Sequence, residues 1–163
     1  MMASSRRKLG KPDLLAIGLQ DAACWQVNGK KLKHVGDKSA NWQRLTAIPN
    51  CLYAFCCGNG VLYIGKTTKT LSKRFVGYCD PGNGRATNWK CHQKIRALLH
   101  ADKSVRILVL PSHSHLSWGG FEINLAAGLE DALVKAFNPP WNGSNKNPLT
   151  ETTINEEELS TKP

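Results

Sequence analysis

An α+β fold, with a small antiparallel sheet of three strands flanked by helices, follows from three observations. Two short runs rich in aromatic and β-branched residues, 51–57 (CLYAFCC) and 61–66 (VLYIGK), flank Gly58-Asn59-Gly60, the pattern of a β-hairpin. A third such run, 105–110 (VRILVL), lacks clean alternation, as a strand covered on both faces does. Apolar residues recur at helical spacing over 70–78, 88–101 and 124–137.

Two registers compete in the hairpin. A two-residue Asn59-Gly60 turn pairs Gly58 with Val61, whereas a three-residue loop with Gly60 left-handed pairs Cys57 with Val61. Side chains alternate along a strand, so this one-residue choice decides which faces Tyr53 and Tyr63 occupy. Only the three-residue loop sets Phe55 opposite Tyr63 with Tyr53 on the same face. A shared site for the two phenols requires that register, and it is the one expected.

The first helical stretch places Leu71, Arg74, Phe75 and Tyr78 on one stripe. Arg74 is therefore turned inward, where a guanidinium calls for an anionic partner, either a phosphate or a structural carboxylate. In 88–101 the inward residues are Cys91, His92, Ile95, Leu98 and Leu99. In 124–137 the stripe is Ala126, Leu129, Leu133, Val134 and Phe137, with Glu130 in its midst and Asp131 on the solvent side. A carboxylate on an apolar face is neutralised, paired with a cation or bound to a metal. Oxygen ligation by a single hard carboxylate suits magnesium, with Glu122 as the second candidate ligand.

The chain carries 22 Lys and Arg against 12 Asp and Glu, a formal charge of +10. Four of the acids lie in residues 151–163, so residues 1–150 hold 21 bases and 8 acids, a surplus of 13. A field of that sign attracts polyanions without choosing between DNA and RNA. Candidate phosphate contacts are Arg6, Arg7 and Lys8 in a basic arm, and Lys30, Lys31 and Lys33 in the turn-rich stretch 29–38.

Layout completes the expectation. Residues 1–12 are assigned to a flexible arm, 13–50 to a helical and loop extension with a short helix over 13–25, and 51–142 to the compact domain. Residues 143–163 are polar, acidic at the end and expected to be disordered. No internal repeat, signal peptide or membrane-length apolar run is present, which points to a cytoplasmic protein with no membrane partner. The six cysteines contain no C-x-x-C pair, which favours reduced thiols over disulfides or a zinc site from Cys79, Cys91 and His92. His113 and His115 share a face if their loop is extended, as a metal pair or a mobile DNA-contacting loop.

Taken in order, these residues resemble the GIY-YIG nuclease domain over 51–142, more than half the chain. Tyr53 stands where the first motif has its tyrosine, and Tyr63-Ile64-Gly65 matches the second motif. Lys66 falls where the family often has a basic residue, and Arg74 matches its helix arginine. Glu130 matches the metal-binding glutamate, and Asn142 the closing asparagine, twelve residues later. Tyr78 resembles the His or Tyr that small restriction enzymes of the superfamily carry one turn after the arginine. The first motif reads Cys51-Leu52-Tyr53 and lacks the leading glycine, and 111–120 looks like family-variable insertion with no role carried over.

The resemblance implies a restriction-like endonuclease that hydrolyses double-stranded DNA with Mg2+, Mn2+ being able to substitute. Two copies of so small a domain would be needed to cut both strands, so a homodimer is implied. Glu130 would hold the metal, Arg74 and Lys66 would meet the phosphate, and Tyr53 with Tyr63 would orient or deprotonate the water. Tyr78 would be an alternative proton acceptor, and Asn142 would hold the tyrosines and Glu130 in register. Which phenol acts as base stays open. The alternatives are a repair, recombination or mobile-element nuclease, or a DNA-binding module that has lost its chemistry.

Overall fold

The computed structural model describes residues 6–82, 86–111 and 116–143. Helix α1 (Lys11–Ala16) leads into strands β1 (Gln20–Asn28) and β2 (Lys31–Gly36), then helix α2 (Trp42–Thr46). The central hairpin is β3 (Cys51–Cys57) and β4 (Gly60–Thr67), followed by helices α3 (Leu71–Cys79) and α4 (Ala86–His100). Strand β5 (Arg106–Pro111), a small hairpin of β6 (Ser117–Trp118) and β7 (Phe121–Glu122), and helix α5 (Leu125–Phe137) complete it.

The main sheet has five strands in the order β2-β1-β5-β3-β4, all antiparallel, rather than the three expected. The two additional strands come from the stretch expected to be an appendage. Gly18, at φ +106, ends the helix expected over 13–25 after one and a half turns. Gly29, at φ +61, then turns β1 into β2, so 31–36 is a strand rather than a loop. Its buried Leu32 between exposed Lys31 and Lys33 is the period-two pattern of a half-covered sheet. Arg106 of β5 donates to Asp21 of β1 at 2.8 Å and also to Asp37, fastening this part of the chain to the sheet. Of the arm expected to be flexible, Lys11 is tied to the turn of the central hairpin. Lys11 N–H donates to Asn59 O at 2.8 Å, and Arg7 pairs with Asp13 at 2.6 Å. Residues 1–5 and 144–163 lie outside the described residues, as do His113 and His115.

Neither expected register occurs in the β3–β4 hairpin. The turn is Gly58-Asn59, with Gly58 left-handed at φ +55 and Cys57 paired with Gly60. A bulge follows: Cys56 pairs with Val61 but Phe55 pairs with Tyr63, so Leu62 is the extra residue. The bulge makes the one-residue slip that the three-residue loop was expected to make, and Tyr53, Phe55 and Tyr63 end on the same face.

Two cores result, one on each side of the sheet. On the first, Tyr53, Phe55 and Tyr63 pack with Trp25 of β1, with Leu71, Phe75 and Tyr78 of α3, and with Cys91 and Ile95 of α4. On the second, Leu52, Ala54, Ile64 and Leu108 meet Leu14 of α1 and Ala126, Val134 and Phe137 of α5. That double cover explains why β3 is buried along nearly its whole length. All six cysteines are free thiols, and burial pushes that of Cys56 up to about 12. Among the described residues no helix is long and apolar enough to cross a membrane.

His34 makes the first core sensitive to acid. Its Nδ1 accepts from Trp42 Nε1–H at 2.9 Å, and its ring lies against Trp25, Trp42 and Phe75. Burial lowers its pKa from the ordinary 6.5, so the folded state holds the neutral ring. A depressed pKa contributes stability that is present above the unfolded value and lost as pH falls through the folded one. Melting temperature should therefore fall once the pH drops below about 6.5, and His34→Gln should flatten that part of the curve. An unchanged acid limb in the variant would assign the effect to other groups.

Candidate active site

Edge strand β4 organises the site because its alternating residues serve both faces of the sheet. Tyr63 and Gly65 face α3, whereas Ile64 and Lys66 face α5. Gly65 is required by its neighbours: a Cβ there would stand 2.7 Å from the Tyr53 ring and hydroxyl and 2.8 Å from the Tyr63 ring. The Gly65→Ala variant should consequently lose roughly 1–3 kcal/mol of stability by overpacking. It should also displace both phenols, read as a lower melting temperature together with a changed tyrosine fluorescence. A fully stable variant would mean that the rings have room to move.

On the α3 side a chain of polar contacts runs inward. Arg74 Nη2 donates to the Tyr78 hydroxyl at 2.6 Å, and the Tyr78 and Tyr53 hydroxyls are 2.8 Å apart. The guanidinium also lies over the Tyr78 ring, 4.3 Å from its centroid. Its Nη1 donates to Asn88 Oδ1 at 2.9 Å, which fixes the plane of the fork. The sequence reading missed Asn88. Its one local sign is Gly77, where a Cβ would come within 2.5 Å of the Asn88 amide, and that sign is intelligible only once α3 and α4 are packed. His92 Nδ1 donates to Tyr78 O at 2.6 Å and sets the two helices together.

All three tyrosines of the chain meet here. Tyr53 and Tyr78 are fully buried, while Tyr63 keeps 9% of its surface open. Burial, reinforced by the neighbouring Tyr63 phenol, holds Tyr53 well above the ordinary phenol value of 10.0. Burial raises Tyr78 in the same way. Both are protonated donors at neutral pH.

On the α5 side, Lys66 Nζ lies 3.0 Å from Glu130 Oε2. The Glu130 side chain is 21% exposed, whereas neighbouring Asp131 lies on the open side of the helix. Hydrogen bonding to Glu130 raises the Lys66 pKa and keeps that amine charged. Asn124 caps α5 through Ala127 N–H at 3.2 Å.

Asn142 joins the two sides along the strand edge. Its Oδ1 accepts from Ile64 N–H at 3.0 Å, and its Nδ2 donates to Ile64 O at 2.8 Å. The side-chain amide thus takes the place of the next strand's backbone, and Trp141 N–H extends the ladder to Leu62 O at 2.9 Å.

An open cleft of about 660 Å³ borders this edge, lined in part by Lys66, Lys69, Lys73, Arg74 and Asn88. Lys69 and Lys73, four apart at the start of α3, were also missed by the sequence reading. Of the basic residues expected to contact phosphate, Lys31 reaches the cleft rim and pairs with Asp80 at 2.8 Å. Lys30 and Lys33 are exposed nearby on the β1–β2 hairpin. Arg6, Arg7 and Lys8 line a different hollow with the C-terminal end of α5, and α1 is tied to the opposite end of the β3–β4 hairpin. Glu122 is exposed on β7.

The donor set constrains any metal. No group of three or more His, Cys, Asp or Glu side chains is gathered among the described residues, and Glu130 is the carboxylate turned toward β4. One carboxylate does not make a zinc or calcium cage, but it fits magnesium, which keeps several waters and takes its remaining ligands from phosphate.

The five-stranded antiparallel sheet with helices on both faces is a fold found in solved structures. A solved point mutant of bacteriophage T4 EndoII shares it, with a TM-score of 0.61 over 83% of this chain and 99% of that one, at 20% identity. The restriction endonuclease HPY188I in complex with product DNA resembles it more loosely, with a TM-score of 0.48 and 14% identity over 87% of this chain and 89% of the other. No protein-family model and no curated protein matches the sequence.

Proposed function

We propose that this chain is a magnesium-dependent endonuclease that hydrolyses phosphodiester bonds in double-stranded DNA through a GIY-YIG-type site. One observation carries the reading: the Arg74–tyrosine network and the Lys66–Glu130 pair stand on either side of strand β4, and Arg74 and Lys66 line one basic cleft at its end. A phosphodiester in that cleft would meet both cations. The likeness in fold to T4 EndoII supports a nuclease.

Each side chain then has a chemical task. Arg74, held by Tyr78 and Asn88, presents a fixed cation to the phosphate and needs no reorganisation as charge develops. Tyr63, the phenol with open surface, orients the attacking water. Tyr53 is better suited to holding the guanidinium than to taking a proton, since its burial disfavours the phenolate. Glu130 would hold Mg2+, or Mn2+ in its place, with Lys66 keeping the carboxylate in position until the ion enters. Bound there, the ion would neutralise developing charge and acidify a water. Asn142 keeps Tyr63 and Lys66 on their proper sides by pinning Ile64 between them. Cutting both strands of a duplex would take two copies of the chain, and the free thiols suit a reducing cytoplasm.

Supercoiled plasmid is the direct substrate. With Mg2+ it should become nicked and then linear, and with chelator it should stay intact, while an RNA transcript of the same sequence survives. A protein that retards the plasmid in a gel yet leaves it supercoiled in both Mg2+ and Mn2+ would be a binding module, and the catalytic reading would be lost.

A further inference from the structure

The β6–β7 hairpin stands apart from the main sheet. Trp118 pairs with Phe121 and Ser117 with Glu122, and Ile123 N–H donates to Leu116 O at 2.8 Å. Gly119 and Gly120, at φ +58 and +82, make the turn, a left-handed pair that matches the strand twist. Side chains alternate, so Leu116, Trp118, Phe121 and Ile123 share one face, and Ser117 and Glu122 the other. Trp118 is 82% exposed and Phe121 79%, and neither belongs to either core. Two large aromatic rings side by side at an exposed tip, outside both cores, form the kind of apolar patch that marks a binding surface.

Their place in the molecule points to the occupant. Pro111, the last residue of β5, pairs with Cys51, and Cys51 pairs with Thr67, so all three strands end in one row. Beyond Thr67 the chain runs into the cleft through Thr68 and Lys69. At the base of the hairpin, Asn124 Nδ2 donates to Asn50 Oδ1 at 3.4 Å, next to Cys51. One strand spacing, about 4.8 Å, separates Cys51 from Thr67. The base of the hairpin and the cationic cleft thus adjoin the same end of the sheet, and a duplex laid in the cleft and running past that end would come to the hairpin. Glu122, the acid of the hairpin, is on its reverse face. A second copy of the chain is a poorer fit. Two aromatic side chains of about 150–250 Å² each fall short of the roughly 800 Å² per partner that a stable interface buries.

We propose that the 116–123 hairpin is a wedge that inserts Trp118 and Phe121 between base steps of the DNA duplex held in the cleft, kinking it there. The proposal rests on the nucleic-acid reading above and adds the contact that shapes the substrate. Apolar side chains driven between base steps unstack and bend a duplex, and stacking on aromatic rings holds the opened bases.

The test uses the full chain in chelator with a short duplex carrying a fluorophore at each end. The parent should bring the ends closer together. The double variant Trp118→Ala, Phe121→Ala should bind roughly tenfold or more weakly and leave the duplex straight. Its salt dependence should be that of the parent, because no charge has been removed. Lys73→Ala should do the reverse, with a shallower salt dependence and the bend retained. Trp118→Phe keeps a ring and should restore the bend. Melting curves check that each variant folds. Equal binding and bending by parent and double variant would overturn the wedge and leave the nuclease reading standing. A parent that binds no duplex would overturn both. If sedimentation shows a dimeric parent and a monomeric double variant, the hairpin is a self-association face and the wedge is wrong.

Discussion

Replacing Glu130 with Gln should leave a folded protein that still retards DNA and no longer cuts it. Gln keeps the size and much of the hydrogen-bonding capacity but removes the charge that a divalent ion requires. The electrostatic help of a bound ion is worth several kcal/mol, so nicking should fall on the order of 10³-fold or more. Binding should hold or tighten, because Lys66 loses its partner 3.0 Å away and becomes available to phosphate. Asp131→Asn is the matched control, one residue along and exposed, and should remain active. Gel shift and nicking on the same preparations separate the two effects. Active Glu130→Gln beside inactive Asp131→Asn would show that the wrong carboxylate has been assigned.

Arg74→Ala should be the second severe loss, by a different route. It removes the cation proposed to meet the phosphate and leaves the Tyr78 hydroxyl and Asn88 Oδ1 without their shared donor. Loss of one such preorganised donor costs about 10²–10³ in rate. Stability should drop by roughly 1–3 kcal/mol through the lost charged hydrogen bonds. Arg74→Lys should not rescue the rate, because one ammonium cannot reach both partners in the plane of a guanidinium fork. Single-turnover nicking and thermal melts measure the two losses. A fully active Lys variant would reduce Arg74 to a bulk charge and remove the reason for the Asn88 contact.

Much of the site was legible because helices and strands have fixed periods. The phase of 70–78 put Arg74 beside Phe75 and Tyr78, and α3 places it so. The phase of 124–137 turned Glu130 toward β4 and Asp131 outward, as α5 does. The sheet was less legible. Leu14, Leu15, Ile17 and Leu19 mimic a helical stripe, and only the left-handed Gly18 stops it. Strands β1 and β2 were overlooked because Lys31, Lys33 and Lys38 made the alternation around Leu32 look like a charged loop.

The hairpin shows where local reasoning ends. Both registers were sterically available to Gly58-Asn59-Gly60, and the chain took neither. Tertiary packing selected a tight Gly58-Asn59 turn with a bulge at Leu62, because the aromatic rings had to reach α3 while Val61 and Ile64 reached the other core. The sequence by itself determined which faces of helices α3 and α5 the candidate residues Arg74 and Glu130 occupy, since helix phase depends on backbone periodicity alone. Tertiary structure decided that β4 is an edge strand, that Asn142 closes it, and that Asn88 steadies Arg74. Those contacts join residues 78 and 14 positions apart, and no local period reaches that far.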